Sequence, residues 1–199
     1  QRDVYNSVLN VKNEATKLLV SGIFWKEHHK EVGKIMTSEL LKLGLLDKYD
    51  IQNQTKNNPA FKKYFTHGTS HHLGLDTHDY GDINHPIEKN NVFTVEPGIY
   101  IPEEGFGIRL EDDVVVTEDS NPINLMKDIP IEIEEIDKEI EQEIKDGIIP
   151  DPSAVDPITG EPLPAEGEMG MMGDVPVEPE IDGGHTDAQV QKDTKKAEI

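Results

Sequence analysis

Within thirteen residues, His67 to Asp79, the chain places four imidazoles (His67, His71, His72, His78) and two carboxylates (Asp76, Asp79), separated by small residues. Two more acidic positions follow inside apolar, strand-like runs, Val95-Glu96-Pro97-Gly98 and Arg109-Leu110-Glu111-Asp112-Asp113. Glu96 and Glu111 thus stand among Phe93, Val95, Ile99, Ile108, Leu110 and Val114. A carboxylate taken out of water without a partner costs several kcal/mol or gives up its charge. The fold must therefore bring a cation to these glutamates. Imidazole and carboxylate together suit zinc, manganese, iron or cobalt.

Local chemistry sets how these groups are carried. His67, His71 and His78 are spaced by four and seven, a helical interval, but Gly68, Gly74 and Gly81 each weaken a helix and permit tight bends. The segment is expected as strand–turn–strand, presenting His71 from a rigid backbone. Strand alternation puts Arg109, Glu111 and Asp113 on one face and Ile108, Leu110, Asp112 and Val114 on the other. Arg109 can then orient a carboxylate or bind a substrate carbonyl with its fixed fork of donors, or simply pair with Asp112 or Asp113. Pro97 has no N–H to give to a ladder, so pairing should stop just past Glu96. His28, His29, His72 and His85 are not expected as ligands, and Asp112 and Asp113 are read as structural.

Upstream, Val4, Val8, Val11, Ala15, Leu18 and Leu19 recur at helical spacing over residues 3–20. Ser21-Gly22 breaks the pattern, and a second helix is expected from about Trp25 to Leu43, capped near Gly44. Residues 46–58 read as loop and Pro59–Tyr64 as a short helical turn. Val92–Ile101 and Phe106–Val116 are strand-rich, and a short final strand fits Asn121–Met126. Two helices followed by strands predict an α+β fold, helices covering one face of a sheet.

After residue 129 the texture changes again. Residues 1–129 hold 14 basic against 20 acidic side chains, whereas residues 130–199 hold 5 against 20. Ile133, Ile136, Ile140 and Ile144 form the stripe of an amphipathic helix within 130–147, expected to pack on the domain, with Gly147 as its cap. Residues 148–199, rich in Pro, Gly and acids and lacking aromatics, are expected to be disordered. The domain reading is therefore 1–129, then a helix at 130–147, then an acidic tail at 148–199. The net charge of −21 leaves no basic stripe for phosphates, which argues against nucleic acid and anionic membrane surfaces as partners. No run of 18 apolar residues is present. The absence of cysteine excludes disulfides and thiolate chemistry and fits a reducing cytoplasm.

Three ordered motifs at compatible spacing now stand together: His67-Gly68-Thr69-Ser70-His71-His72-Leu73-Gly74-Leu75-Asp76-Thr77-His78-Asp79, Thr94-Val95-Glu96-Pro97-Gly98-Ile99-Tyr100, and Gly107-Ile108-Arg109-Leu110-Glu111-Asp112-Asp113. From about Arg2 to Asp137 the chain resembles the pita-bread metallopeptidases, the Xaa-Pro aminopeptidases (aminopeptidase P) first and the prolidases next. The resemblance implies a partial pita-bread fold, with helices on a curved, mainly antiparallel sheet. It also implies two divalent metal ions, manganese first among manganese, zinc, cobalt and iron, and five ligands.

By motif position His71 is the histidine ligand, Glu96 the first glutamate and Glu111 the glutamate bridging both ions. His67 and His78 match substrate-binding and transition-state-stabilising histidines, and Arg109 the arginine beside the bridging glutamate. The implied reaction releases the first residue of a peptide with proline second, by a metal-bridging hydroxide with Glu96 as base. Prolidase action on dipeptides, or a non-catalytic binding module, are the alternatives. In the family two aspartate ligands precede the segment matching residues 2–20. The expectation is a C-terminal part of an enzyme whose N-terminal part supplies them, a chain that alone is weakly active, and a homo-oligomer when complete.

Overall fold

A computed structural model describes residues 1–118, 121–155 and 163. The chain divides into two units, Gln1–Gln142 and Glu143–Ile199. The first unit carries helices α1 (Arg2–Leu18), α2 (Trp25–Lys42) and α3 (Lys48–Asn53), then strands β1 (Val92–Val95), β2 (Gly98–Ile101), β3 (Phe106–Arg109), β4 (Asp112–Val115) and β5 (Ile123–Asn124). The predicted turn at 59–64 is a 3-10 helix over Ala60–Lys63. Helix α4 (Ile133–Lys145) begins at the expected stripe, and Gly147 beyond it takes the left-handed conformation (φ 70°) suited to a helix end. Gly44, just past α2, does the same with φ 72°.

The predicted α+β class holds. β1, β4 and β5 form one antiparallel sheet and β2 and β3 a second ladder. Val4, Val8, Val11 and Ala15 of α1 are buried, with Val32, Met36 and Leu40 of α2, against Phe93, Val95, Ile99 and Val114 of the strands. Each such side chain contributes roughly 1.5–3 kcal/mol relative to its exposed state. Helix α1 packs on β1, β2 and β3, and α2 packs on α1.

Three expectations change, and a fourth falls largely outside the described residues. Residues 46–58 are not all loop: Asp47 accepts from the N–H groups of Tyr49 and Asp50 while Asp50 caps back, a reciprocal box that holds α3. Segment 67–78 is not strand–turn–strand. Thr69, His71 and Leu73 do run along β1, through Glu96 N–H to Thr69 O, Thr94 N–H to His71 O and Leu73 N–H to Val92 O. The ladder is incomplete because the His71 N–H donates to Thr94 Oγ1 at 3.0 Å rather than to a carbonyl. The isoleucine stripe of α4 is covered only in part: Ile133, Ile136 and Ile144 are half-buried, Ile140 is exposed, and no residue of that helix is fully buried. Finally, most of the tail expected to be disordered lies outside the described residues; within 148–155 a 3-10 turn forms at Pro152–Ala154. No helix among the described residues is long and apolar enough to cross a membrane.

His28, on α2, is fully enclosed and its Nε2 donates to Ala15 O at 2.9 Å, tying α2 to α1. Burial lowers its pKa, and burial also lowers that of His29. An unfolded chain therefore takes up protons that the folded one refuses once pH falls below about 6.5. Thermal stability is expected to be flat above about pH 7 and to fall as pH drops through 6.5 toward 5. Melting curves across that range check it, and His28→Gln, which keeps a donor for Ala15, should flatten the acid limb.

Candidate metal centre

The two ladders share one register. Val95 faces Asp112 across β1 and β4, and Gly98 faces Arg109 across β2 and β3. Continuing the first ladder by one step, or the second by two, sets Glu96 opposite Glu111. Pairing lapses there because Pro97 lacks an N–H, although its carbonyl still accepts from Leu110 N–H at 3.3 Å. Like charges directly opposite on neighbouring strands repel, so this frame favours whatever positive charge enters it.

One positive group already does. Arg109 Nη1 lies 3.4 Å from Glu96 and Nη2 lies 3.4 Å from Glu111, so the guanidinium spans the two carboxylates. The Nε2 of His71 stands 3.4 Å from Glu96 Oε1. His71 Nδ1 lies 2.9 Å from the carbonyl of His72, which can only accept. Nδ1 therefore carries a proton, which leaves Nε2 as the ring's ligand atom facing the site. One donor atom each from His71, Glu96 and Glu111 lies within 4.8 Å of the other two. An imidazole lone pair and two carboxylates form a donor set for a borderline divalent cation. Glu96 is 13% exposed, as a ligand embedded in apolar strands should be, whereas Glu111 is 38% exposed and does not meet the expectation of burial.

The remaining predicted residues lie around this group. The His78 ring stacks obliquely 4.3 Å from that of His71. His67 donates from Nδ1 to Gly68 O at 2.8 Å, and its Nε2 lies 2.7 Å from the Tyr100 hydroxyl. Burial raises the Tyr100 pKa, against Arg109 and with Glu96, so the phenol keeps its proton and donates it to His67. Sequence reasoning missed Tyr100. Its place shows only in the paired hairpin: a Cβ on Gly98 or Gly107 would come within 2.7 Å or less of the Tyr100 side chain, which lies back over the strands.

It also missed Lys12. That lysine is 3% exposed on the buried face of α1 and pairs with Asp112, which is 5% exposed and also accepts from Asn124 Nδ2 at 2.7 Å. Asp112 is thus structural, as expected, but its cation comes from α1 and not from Arg109.

The sequence profile of metallopeptidase family M24 matches residues 1–118. The chain belongs to family M24. It is 42% identical to the Xaa-Pro aminopeptidase of Escherichia coli over 149 residues, covering 69% of this chain and 33% of that protein. The Haemophilus influenzae Xaa-Pro aminopeptidase is 39% identical, covering 69% and 34%. The solved structure of E. coli aminopeptidase P with the inhibitor Pro-Leu superposes with a TM-score of 0.63 at 38% identity, covering 72% of this chain and 35% of that one. A zinc-substituted form of the same enzyme with product gives 0.62 at 38% identity, covering 71% and 34%. The fold is therefore part of the pita-bread domain, as its motifs implied. The chain spans about a third of the length of the curated relatives it matches.

Proposed function

We propose that this chain supplies the histidine- and glutamate-bearing half of a dinuclear metallo-aminopeptidase centre acting on peptides with proline second. The observation that carries the reading is the convergence of His71, Glu96 and Glu111 on one point inside a family M24 fold. Those three residues would hold the metal, manganese first, with two further aspartates contributed by a preceding part of the protein. When bound, such ions lower the pKa of a water and polarise a carbonyl.

The chain's own groups have separable tasks. Glu96, largely enclosed and next to Arg109, takes the proton of the attacking water. Arg109 keeps the two glutamates apart and aligned. His78, at the exposed rim beside His71, donates to the developing oxyanion. His67, held between the Gly68 carbonyl and the Tyr100 hydroxyl, binds and orients the substrate on the leaving-amine side.

A chimera tests this: residues 1–118 replace the matching segment of the E. coli Xaa-Pro aminopeptidase. The expected result is metal-dependent release of the first residue from a tripeptide with proline second, lost in Glu96→Gln by about 10² to 10⁴-fold. Cleavage of an Xaa-Pro dipeptide alone would move the assignment to a prolidase. A folded, metal-loaded chimera that leaves both intact would favour a binding module.

A further inference from the structure

His72 lies between two predicted site residues and takes part in neither proton transfer nor metal binding as read above. Its surroundings are specific nonetheless. Its ring stacks on Trp25 of α2 (centroids 6.0 Å, 13°) and tilts against Phe93 of β1 at 4.4 Å, and Trp25 itself contacts Phe93 at 5.1 Å. Gly81 lies so close to the ring that a Cβ there would collide with His72 Cδ2 and Nε2. The His72 carbonyl accepts twice, from His71 Nδ1 at 2.9 Å and from the Asp79 N–H at 3.1 Å.

Asp79 gathers the loop that carries His78. Its carboxylate accepts from Leu75 N–H at 3.0 Å and from Tyr80 N–H at 2.8 Å. A Cβ on Gly74 would strike that carboxylate, so the turn closes only with glycine there. Beyond that, the tip is held by a Gly74 N–H to Asp76 O bond at 3.2 Å and by the contact of the His78 ring with His71, while Leu75, Asp76, Thr77 and His78 are all exposed. Loops without buried side chains open easily. Besides the ring contact with His71, a route from the core to the His78 loop therefore runs from Trp25 and Phe93 through His72 to Gly81 and Asp79.

We propose that His72 is the positioning residue for His78: its ring, keyed against Trp25 and Phe93, seats Gly81, and its carbonyl fixes His71 and the His78 loop to one oxygen. The value of that placement for catalysis rests on the peptidase reading, but the placement itself does not. A Cβ added at Gly81 cannot be absorbed by the His72 ring, because Trp25 and Phe93 hold it, so the loop must move instead.

The test uses the whole 199-residue chain with isotope-labelled histidine and tyrosine. Rings at the His71–His78 separation give a ring-proton Overhauser effect, and the His67–Tyr100 pair gives a second that reports an intact site. Gly81→Ala and His72→Ala are each expected to lose most of the first signal and keep the second, whereas His72→Phe, which retains a flat ring, keeps both. Persistence of the His71–His78 signal in His72→Ala, or its loss in His72→Phe while His67–Tyr100 survives, overturns the proposal. If Gly81→Ala fails to fold, His72→Ala decides alone, since it removes atoms and forces none. The readout needs no metal and no turnover, so it stands even if the chimera proves inactive.

Discussion

Replacing Lys12 with methionine is expected to destabilise the chain by about 3–5 kcal/mol, because it strands Asp112 as an uncompensated charge in the core. For a domain of this size that loss corresponds to a fall in melting temperature on the order of 10 °C. Removing both charges tells the pair from the packing. Lys12→Met with Asp112→Leu should recover most of the loss, since a buried ion pair exchanged for apolar groups is often neutral. Recovery should stop short of full, because Asn124 Nδ2 then loses its acceptor. Urea unfolding of the two single variants and the double variant gives the coupling energy directly. A loss below about 1 kcal/mol in Lys12→Met would mean that water reaches the pair.

Divalent cation should raise the melting temperature of the wild-type chain through His71 and the glutamate pair together. At a manganese concentration a hundred times the dissociation constant the gain is about 2.7 kcal/mol, or about 5–10 °C. His71→Ala and Glu111→Gln are each expected to abolish that gain. Their metal-free behaviour should differ. Glu111→Gln removes one of two facing like charges and leaves Arg109 paired with Glu96, so without metal it should melt at or above the wild type. With three donors grouped among the described residues, the ion should be released on gel filtration in metal-free buffer. Equal gains in wild type and both variants would sink the assignment and point to the acidic residues beyond position 129, whose net charge is −15.

How much of this was legible beforehand follows from the range of each interaction. Helices α1 and α2 were legible because their stripes repeat every three or four residues, which is set within one turn of the chain. The pairing stop after Glu96 was legible because proline's missing N–H is a property of one residue. Helix α3 could have been read from Asp47-Lys48-Tyr49-Asp50, a capping box with aspartate at its third position. The donors His71, Glu96 and Glu111 were picked out by motif, and their convergence follows from a register that no single segment encodes. Lys12 and Tyr100 were out of reach for that reason. The one is defined by a partner a hundred positions away, the other by a hairpin whose glycines face it only once the strands pair.

The sequence alone determined which chemistry was possible: carboxylates set in apolar runs, imidazoles spaced by glycine, no thiols and a charge balance hostile to phosphate. Those are properties of side chains and of local backbone freedom, and they survive any arrangement of the chain. Only the tertiary structure decided which charge meets which. It gave Arg109 to both glutamates, Lys12 to Asp112, and the His72 carbonyl to two donors at once. Electrostatic pairing falls off over a few ångströms once groups are solvated, so residues that share a charge must first be brought together by the burial of everything around them.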